Sequence, residues 1–258
     1  MIFETHAHYD DSAFDADRDS LIASLPENNI GRVVDIGASI AGTKAAISLA
    51  EKWPFMWAAA GVHPEECAEL NEDNFPWLEK MLKHPKVVAV GEIGLDYYWP
   101  EPDHETQKYW FDRQLLLAKE NNFPVVIHSR DAAQDTLDMM KSESAKGLSG
   151  VIHCFSYPVE IAREYLNMGF FLGIGGVLTY KNGRKLREVV EYAPLSSLVL
   201  ETDCPYLTPV PFRGKRNSSL HLPLVVEEMA RVKGVSTEEV ERVTFENACR
   251  LYRLPLKE

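Results

Sequence analysis

The sequence predicts an α/β protein of the (β/α)8 TIM-barrel type, on three observations. Short apolar, β-branched runs recur at intervals that leave room for one helix each, and eight of them can be counted. The runs are built on continuous apolar stretches rather than strict in/out alternation, which suits parallel strands buried on both faces. The chain has 258 residues, close to the roughly 250 at which such barrels commonly run.

In chain order the runs are IFETH (2–6), RVVDIG (32–37), FMWAAAG (55–61), VVAVGE (87–92), PVVIH (124–128), GVIHC (150–154), FFLGIG (170–175) and LVLETD (198–203). Helical patterns lie between them. DADRDSLIASLPENN sets Leu21, Ile22 and Leu25 on one side, and ETQKYWFDRQLLLAKENN brings Tyr109, Phe111, Leu115, Leu116 and Ala118 near helical spacing. Such alternation closes into a barrel through right-handed crossovers. An open doubly wound sheet is the competing arrangement, but no strand is followed by a G-x-G-x-x-G turn. The chain is long enough for one large domain or two. With no repeat, low-complexity segment or linker, residues 1–258 are expected to form a single domain. The longest irregular stretch is YLTPVPFRGKRNSS (206–219), and loops of that length are often functional.

Composition narrows the function classes. At 45% hydrophobic and 26% charged residues, the chain has ample material for a core and is not disordered. No targeting pattern and no run of about 18 apolar residues occurs, so a soluble cytoplasmic protein without membrane association is expected. The four cysteines, Cys67, Cys154, Cys204 and Cys249, are scattered and read as buried reduced thiols. A net charge of −12 argues against a surface that coats nucleic acid. A local basic patch, or bound cations, could still recruit a phosphate.

His6 and His8 stand at i and i+2, which puts both imidazoles on one side of a strand. Glu92, His128, His153 and Asp203 fall at or near the C-terminal ends of later predicted strands, the edge where barrel enzymes assemble their sites. Each alone could be a hydrogen-bonded core residue. Together they make a donor set larger than one tetrahedral ion needs, and with one carboxylate bridging they suit two divalent ions. Mixed nitrogen and oxygen donors without thiolate fit Zn, Mn, Co or Ni better than Ca, and a site for Mg alone would be richer in oxygen. Cys154 and Cys204 adjoin proposed ligands but face away and read as packing residues.

His84, His104 and His221 read as surface residues, whereas His63, in GVHP after the third strand, is placed either to contact substrate or to shape its loop. Arg213, Lys215, Arg216 and Asn217 gather in FRGKRN after the eighth strand, a candidate clamp for an anionic substrate or a solvated charged loop. Arg130 has a weaker version of the same claim. Tyr97, Tyr98 and Trp99 could stack on bases, although loop packing is the ordinary reading.

The ordered motifs THAHYD, GVHP, GEIGLDYY, PVVIHSRDA, GVIHCFS, ETDCPYLTP, RGKRN and FENACRLY resemble the TatD family of metal-dependent deoxyribonucleases across nearly the whole chain. The resemblance implies one metal held by His6, His8, Glu92 and Asp203, with Glu92 bridging to a second held by His128 and His153. It implies a 3′ to 5′ exonuclease acting on DNA strand ends, with His63, Arg213 and Asn217 as substrate contacts. Three departures stand out: Glu4 where many members carry Asp, Cys204 in place of a small residue, and Asn217-Ser218-Ser219 for the common Asn-Glu-Pro or Asn-Gln-Pro.

The expected reaction is therefore phosphodiester hydrolysis assisted by two divalent ions (Zn, Mn, Mg, Co or Ni). Asp203 and Glu92 are the catalytic carboxylates, with Asp203 accepting the proton of the attacking water and passing it to the leaving oxygen. Glu201 is a supporting or structural residue. A metal-dependent amide or ester hydrolase, including one that deacylates aminoacyl-tRNA, is the competing enzyme, and a metal-binding scaffold without catalysis the competing non-enzyme. No obligatory protein partner is implied, and a monomer or small oligomer is expected.

Overall fold

The structure is a computed structural model that describes residues 1–256. Its strands are β1 (Ile2–Ala7), β2 (Ile30–Ile36), β3 (Met56–Ala60), β4 (Val87–Asp96), β5 (Val125–Arg130), β6 (Gly150–Ile152), β7 (Phe171–Ile174) and β8 (Leu198–Leu200). They share one sheet in chain order. Helices alternate with them: α1 (Arg18–Ser24), α2 (Ile40–Lys52), α3 (Phe75–Leu82), α4 (His104–Glu120), α5 (Ala133–Met140), α6 (Val159–Asn167), α7 (Arg184–Tyr192), α8 (Leu222–Lys233) and α9 (Thr237–Tyr252). This is the expected (β/α)8 barrel.

Contacts divide the chain into two compact units, Met1–Asp35 with the chain from Cys154 onward, and Ile36–His153. In the first, β1 pairs in parallel with β2, and β7 with β8. A parallel bridge from Ala7 to Cys204 sets the end of β1 beside the segment that follows β8. Helix α9 holds this arrangement from outside: the Tyr252 hydroxyl donates to the Thr5 carbonyl at 2.7 Å, and the Asn247 amide donates to the carbonyls of Leu195 and Leu198. Phe3, turned outward from β1, packs its ring against Phe245 and Tyr252. A fully buried aromatic of this kind contributes about 1.5–3 kcal/mol.

In the second unit β3, β4, β5 and β6 pair in parallel in that order. Helix α4 begins at Asp103, whose side chain accepts the amides of Glu105 and Thr106, satisfying donors that a helix N-terminus leaves open. Its buried Gln107 and Gln114 reach inward to the main chain of Asp96 and Val62. Tyr109, expected on the buried side, is about half exposed and donates to Glu72, because the apolar side of α4 is carried by Trp110, Phe111, Leu115 and Ala118 instead.

Strand ends differ from the sequence reading. β4 runs on to Asp96 and β5 to Arg130, whereas β6 and β8 stop at Ile152 and Leu200. The sequence pattern ends the fourth, fifth and eighth runs at Glu92, His128 and Asp203. In β4 and β5, backbone pairing continues past Glu92 and His128, with Gly94 opposite His128 and Asp96 opposite Arg130. Gly94 makes this approach possible: at φ +148 a Cβ there would lie 1.9 Å from the His128 carbonyl oxygen. Glu92 and His128 therefore sit within strands, and His153 and Asp203 just beyond them.

Candidate metal centre

In the first unit the pairing between β1 and the segment after β8 sets the donors. The Asp203 amide donates to the His6 carbonyl at 3.0 Å and the His8 amide to the Cys204 carbonyl at 2.9 Å. Asp203 adopts φ +57, a left-handed conformation that Asp tolerates better than most residues, and its carboxylate meets both imidazoles. His6 Nε2 and His8 Nε2 are 3.1 Å apart, and Asp203 Oδ1 lies 3.6 Å from the first and 3.4 Å from the second. Two ligand atoms about 2.0–2.1 Å from a tetrahedral ion stand about 3.3 Å from each other. The three edges fit one divalent ion, and neutral imidazole with carboxylate is the right donor chemistry.

The buried carboxylates Glu4 and Glu201 lie in the same unit. Glu4 accepts the amides of His6 and Thr202 and the hydroxyls of Thr202 and Ser219. Burial pushes its carboxyl up to about 8, although those donors oppose the shift. Glu201 accepts the Cys154 amide at 2.5 Å. Gly173 leaves room for it, since a Cβ there would lie 2.2 Å from Glu201 Oε2.

The second unit carries its own donor set around Glu92. Its Oε1 lies 2.8 Å from His128 Nδ1, 3.3 Å from His153 Nε2 and 3.7 Å from His63 Nε2. The other ring nitrogen of His128, Nε2, lies 3.0 Å from Oδ2 of the fully buried Asp96. Burial alone would lower the His128 pKa, but the Asp96 and Glu92 carboxylates outweigh it and raise it to about 9. Such a carboxylate fixes which imidazole nitrogen is left to bind a metal. His63 caps the short helical turn that follows it, its Nδ1 accepting the Glu65 amide, and its ring lies 4.3 Å from that of His128.

A family model described as "TatD related DNase" matches residues 3–253. The chain belongs to the TatD family. It is 41% identical to the "Uncharacterized metal-dependent hydrolase YabD" of Bacillus subtilis over 98% of this chain and all of that protein. It is 32% identical to the "3'-5' ssDNA/RNA exonuclease TatD" of Erwinia tasmaniensis, again over 98% of this chain and all of the relative. Among solved structures, the TatD homologue YjjV of Escherichia coli superposes with a TM-score of 0.92 at 29% identity, covering 98% of each chain. The protein is thus a metal-dependent hydrolase on a TatD barrel.

The remaining candidates occupy the loop after β8. Arg213 is exposed and stacks over the Tyr180 ring at 4.3 Å. Arg216 makes a paired contact with Asp17 at 2.6 and 2.7 Å, which also holds the Asp17 carboxyl below its ordinary value. Asn217 is fully buried, its amide donating to the carbonyls of Thr202 and Tyr206 and its oxygen accepting the Ser218 amide. It holds the loop's shape. His221 is half-buried between Asn217 and the Phe212 ring rather than on the surface. Among the described residues the four cysteines form no disulfide, and Cys67, Cys204 and Cys249 are buried while Cys154 is partly so. Sequence reasoning passed over Asp96. Its even spacing from Glu92 was the available signal, hidden once the strand was ended at Glu92.

Proposed function

We propose that this TatD hydrolase is a divalent-metal-dependent phosphodiesterase that removes nucleotides from the 3′ end of single-stranded DNA. The observation that carries the reading is the donor group of His6, His8 and Asp203, whose spacing of 3.1–3.6 Å fits a metal ion. The name of the Erwinia relative, a 3'-5' ssDNA/RNA exonuclease, supports the substrate class. On this reading His6, His8 and Asp203 hold one ion, Glu92, His128 and His153 hold the other, and Zn, Mn, Mg, Co and Ni are the candidates. Bound divalent ions would supply acidity to the attacking water and offset charge on the phosphoryl oxygens.

The chain's own residues do the rest. Asp203, partly exposed, takes the proton of the water and returns it to the leaving oxygen. Asp96 holds the His128 ring in one orientation. Arg213 holds a phosphate of the substrate, Asn217 keeps the loop that carries Arg213 in shape, and His63 is a separate substrate contact beside Glu92 and His128. Residues 1–258 act as one cytoplasmic domain, monomeric or in a small oligomer.

The test is incubation of the metal-reconstituted protein with end-labelled single-stranded DNA. Stepwise release of mononucleotides from the 3′ end is expected. Asp203→Asn should reduce the rate at least about 100-fold, as loss of a general base typically does, while the unfolding midpoint stays close to that of the parent. Turnover of an aminoacyl ester or cyclic amide without nucleotide release would overturn the reading.

A further inference from the structure

We propose that Tyr98 and Trp99, backed by Arg130, form a stacking shelf for one unpaired base near the 3′ end of the strand, a site that rests on the nuclease reading above. Both rings stand about half in solvent, at 53% and 47% exposure, although they are large enough to be buried. They meet edge to face at 4.8 Å between centroids. The Arg130 guanidinium lies over Tyr98 at 3.8 Å, close enough for a cation–π contact.

The backbone that leads into the rings is pinned. Asp96 Oδ1 accepts the Tyr98 amide at 2.9 Å, and the Tyr97 amide donates to the Arg130 carbonyl at 2.9 Å. Tyr97 itself is stacked on His104 at 3.6 Å and donates its hydroxyl to Asp135. A pinned backbone lowers the ordering cost that a mobile loop would incur on binding. The shelf is also tied to the metal centre, because the same Asp96 carboxylate that takes the Tyr98 amide holds His128 with its other oxygen.

Aromatic faces beside a guanidinium are the combination that holds single-stranded nucleic acid without reading its sequence. In a chain of net charge −12, a polyanion cannot be held by general attraction, and a base gripped by its π-face needs none. The patch is two rings wide and flanked by the exposed Glu101 and Asp103, which suits a single base better than the apolar surface of a protein partner.

The experiment measures affinity for a single-stranded DNA ten-mer with phosphorothioate linkages that resist hydrolysis. The metal-loaded protein is compared with the Tyr98→Ala/Trp99→Ala double variant, with Tyr98→Phe/Trp99→Phe as the conservative control. Loss of the rings should weaken binding roughly 5- to 100-fold, whereas the phenylalanine pair should bind within a fewfold of the parent at an equal unfolding midpoint. Removing the base from each of the last three nucleotides in turn should weaken binding to the parent at one position and leave the alanine variant indifferent. Failure of the parent to bind the ten-mer, equal binding by the alanine variant, or indifference of the parent to every missing base would each overturn the shelf. A parent that binds with this base dependence yet releases no nucleotide from ordinary DNA would sink the exonuclease reading and leave the shelf standing.

Discussion

Asp96 is engaged through both carboxylate oxygens, Oδ2 with His128 Nε2 at 3.0 Å and Oδ1 with the Tyr98 amide at 2.9 Å. Its backbone is fixed as well, because the Gln107 side chain accepts its amide and donates to its carbonyl, both at 2.8 Å. A group held so firmly sets the His128 tautomer rather than following it, leaving Nδ1 to face Glu92. The negative charge behind the ring also makes Nδ1 a better donor to a cation. Removing such a partner typically costs 10- to 100-fold in metal affinity, so Asp96→Ala should show a loss of about that size. Asp96→Asn should lose less, since its amide oxygen still accepts from Nε2. Competition with a chelator of known affinity measures both, and an unchanged affinity in the alanine variant would remove Asp96 from the site.

At the scale of elements, β1 and the loop after β8 are held together through Glu4, Tyr9 and Ser219. Ser219 donates its hydroxyl to Glu4 at 3.0 Å, and its amide donates to the Tyr9 hydroxyl, which in turn donates to Ser219 Oγ. A proline at 219 would have no N–H for Tyr9 and no hydroxyl for Glu4. Ser219→Pro should destabilise the protein by about 1–3 kcal/mol through the buried groups it leaves unmatched. Glu4→Asp and Ser219→Ala should be non-additive by about 0.5 kcal/mol or more in a double-mutant cycle. Denaturant unfolding of the metal-free protein reads both, and strict additivity would mean that the two residues do not act as a unit.

The same elements separate what was legible in sequence from what was not. Eight apolar runs and the i, i+2 spacing of His6 and His8 are properties of local chain geometry, and local geometry is written in consecutive residues. The bond between Glu4 and Ser219 joins positions 215 residues apart, and the length of a glutamate side chain decides it. No periodicity carries that information. Asp96 fell between the two cases: its strand was visible, but its spacing from Glu92 became meaningful only when backbone pairing carried β4 past the first charged residue.

For the whole molecule the question is how a chain with 39 acidic and 27 basic residues would hold the polyanionic substrate proposed for it. Several cations near the proposed substrate side are already committed: Arg216 to Asp17, and Arg18 to Asp15 and to main-chain carbonyls of Tyr9 and Asp11. Arg213 and Lys215 are exposed in the loop after β8, so a strand held by that loop would meet about two cationic side chains there, and two or three phosphate contacts in all are expected. Counterion release then sets the salt dependence. Two or three phosphate contacts on single-stranded DNA give a slope of log affinity against log salt of about −1.4 to −2.1, whereas six to ten contacts would give about −4 to −7. Titrating the phosphorothioate ten-mer between 50 and 200 mM potassium chloride at fixed divalent ion should therefore give a slope shallower than about −3. Arg213→Ala should reduce it by about 0.7, since one released counterion disappears with the guanidinium. A steep slope, or one that ignores Arg213, would mean that the strand lies along cations elsewhere on the surface and that the loop after β8 does not hold it.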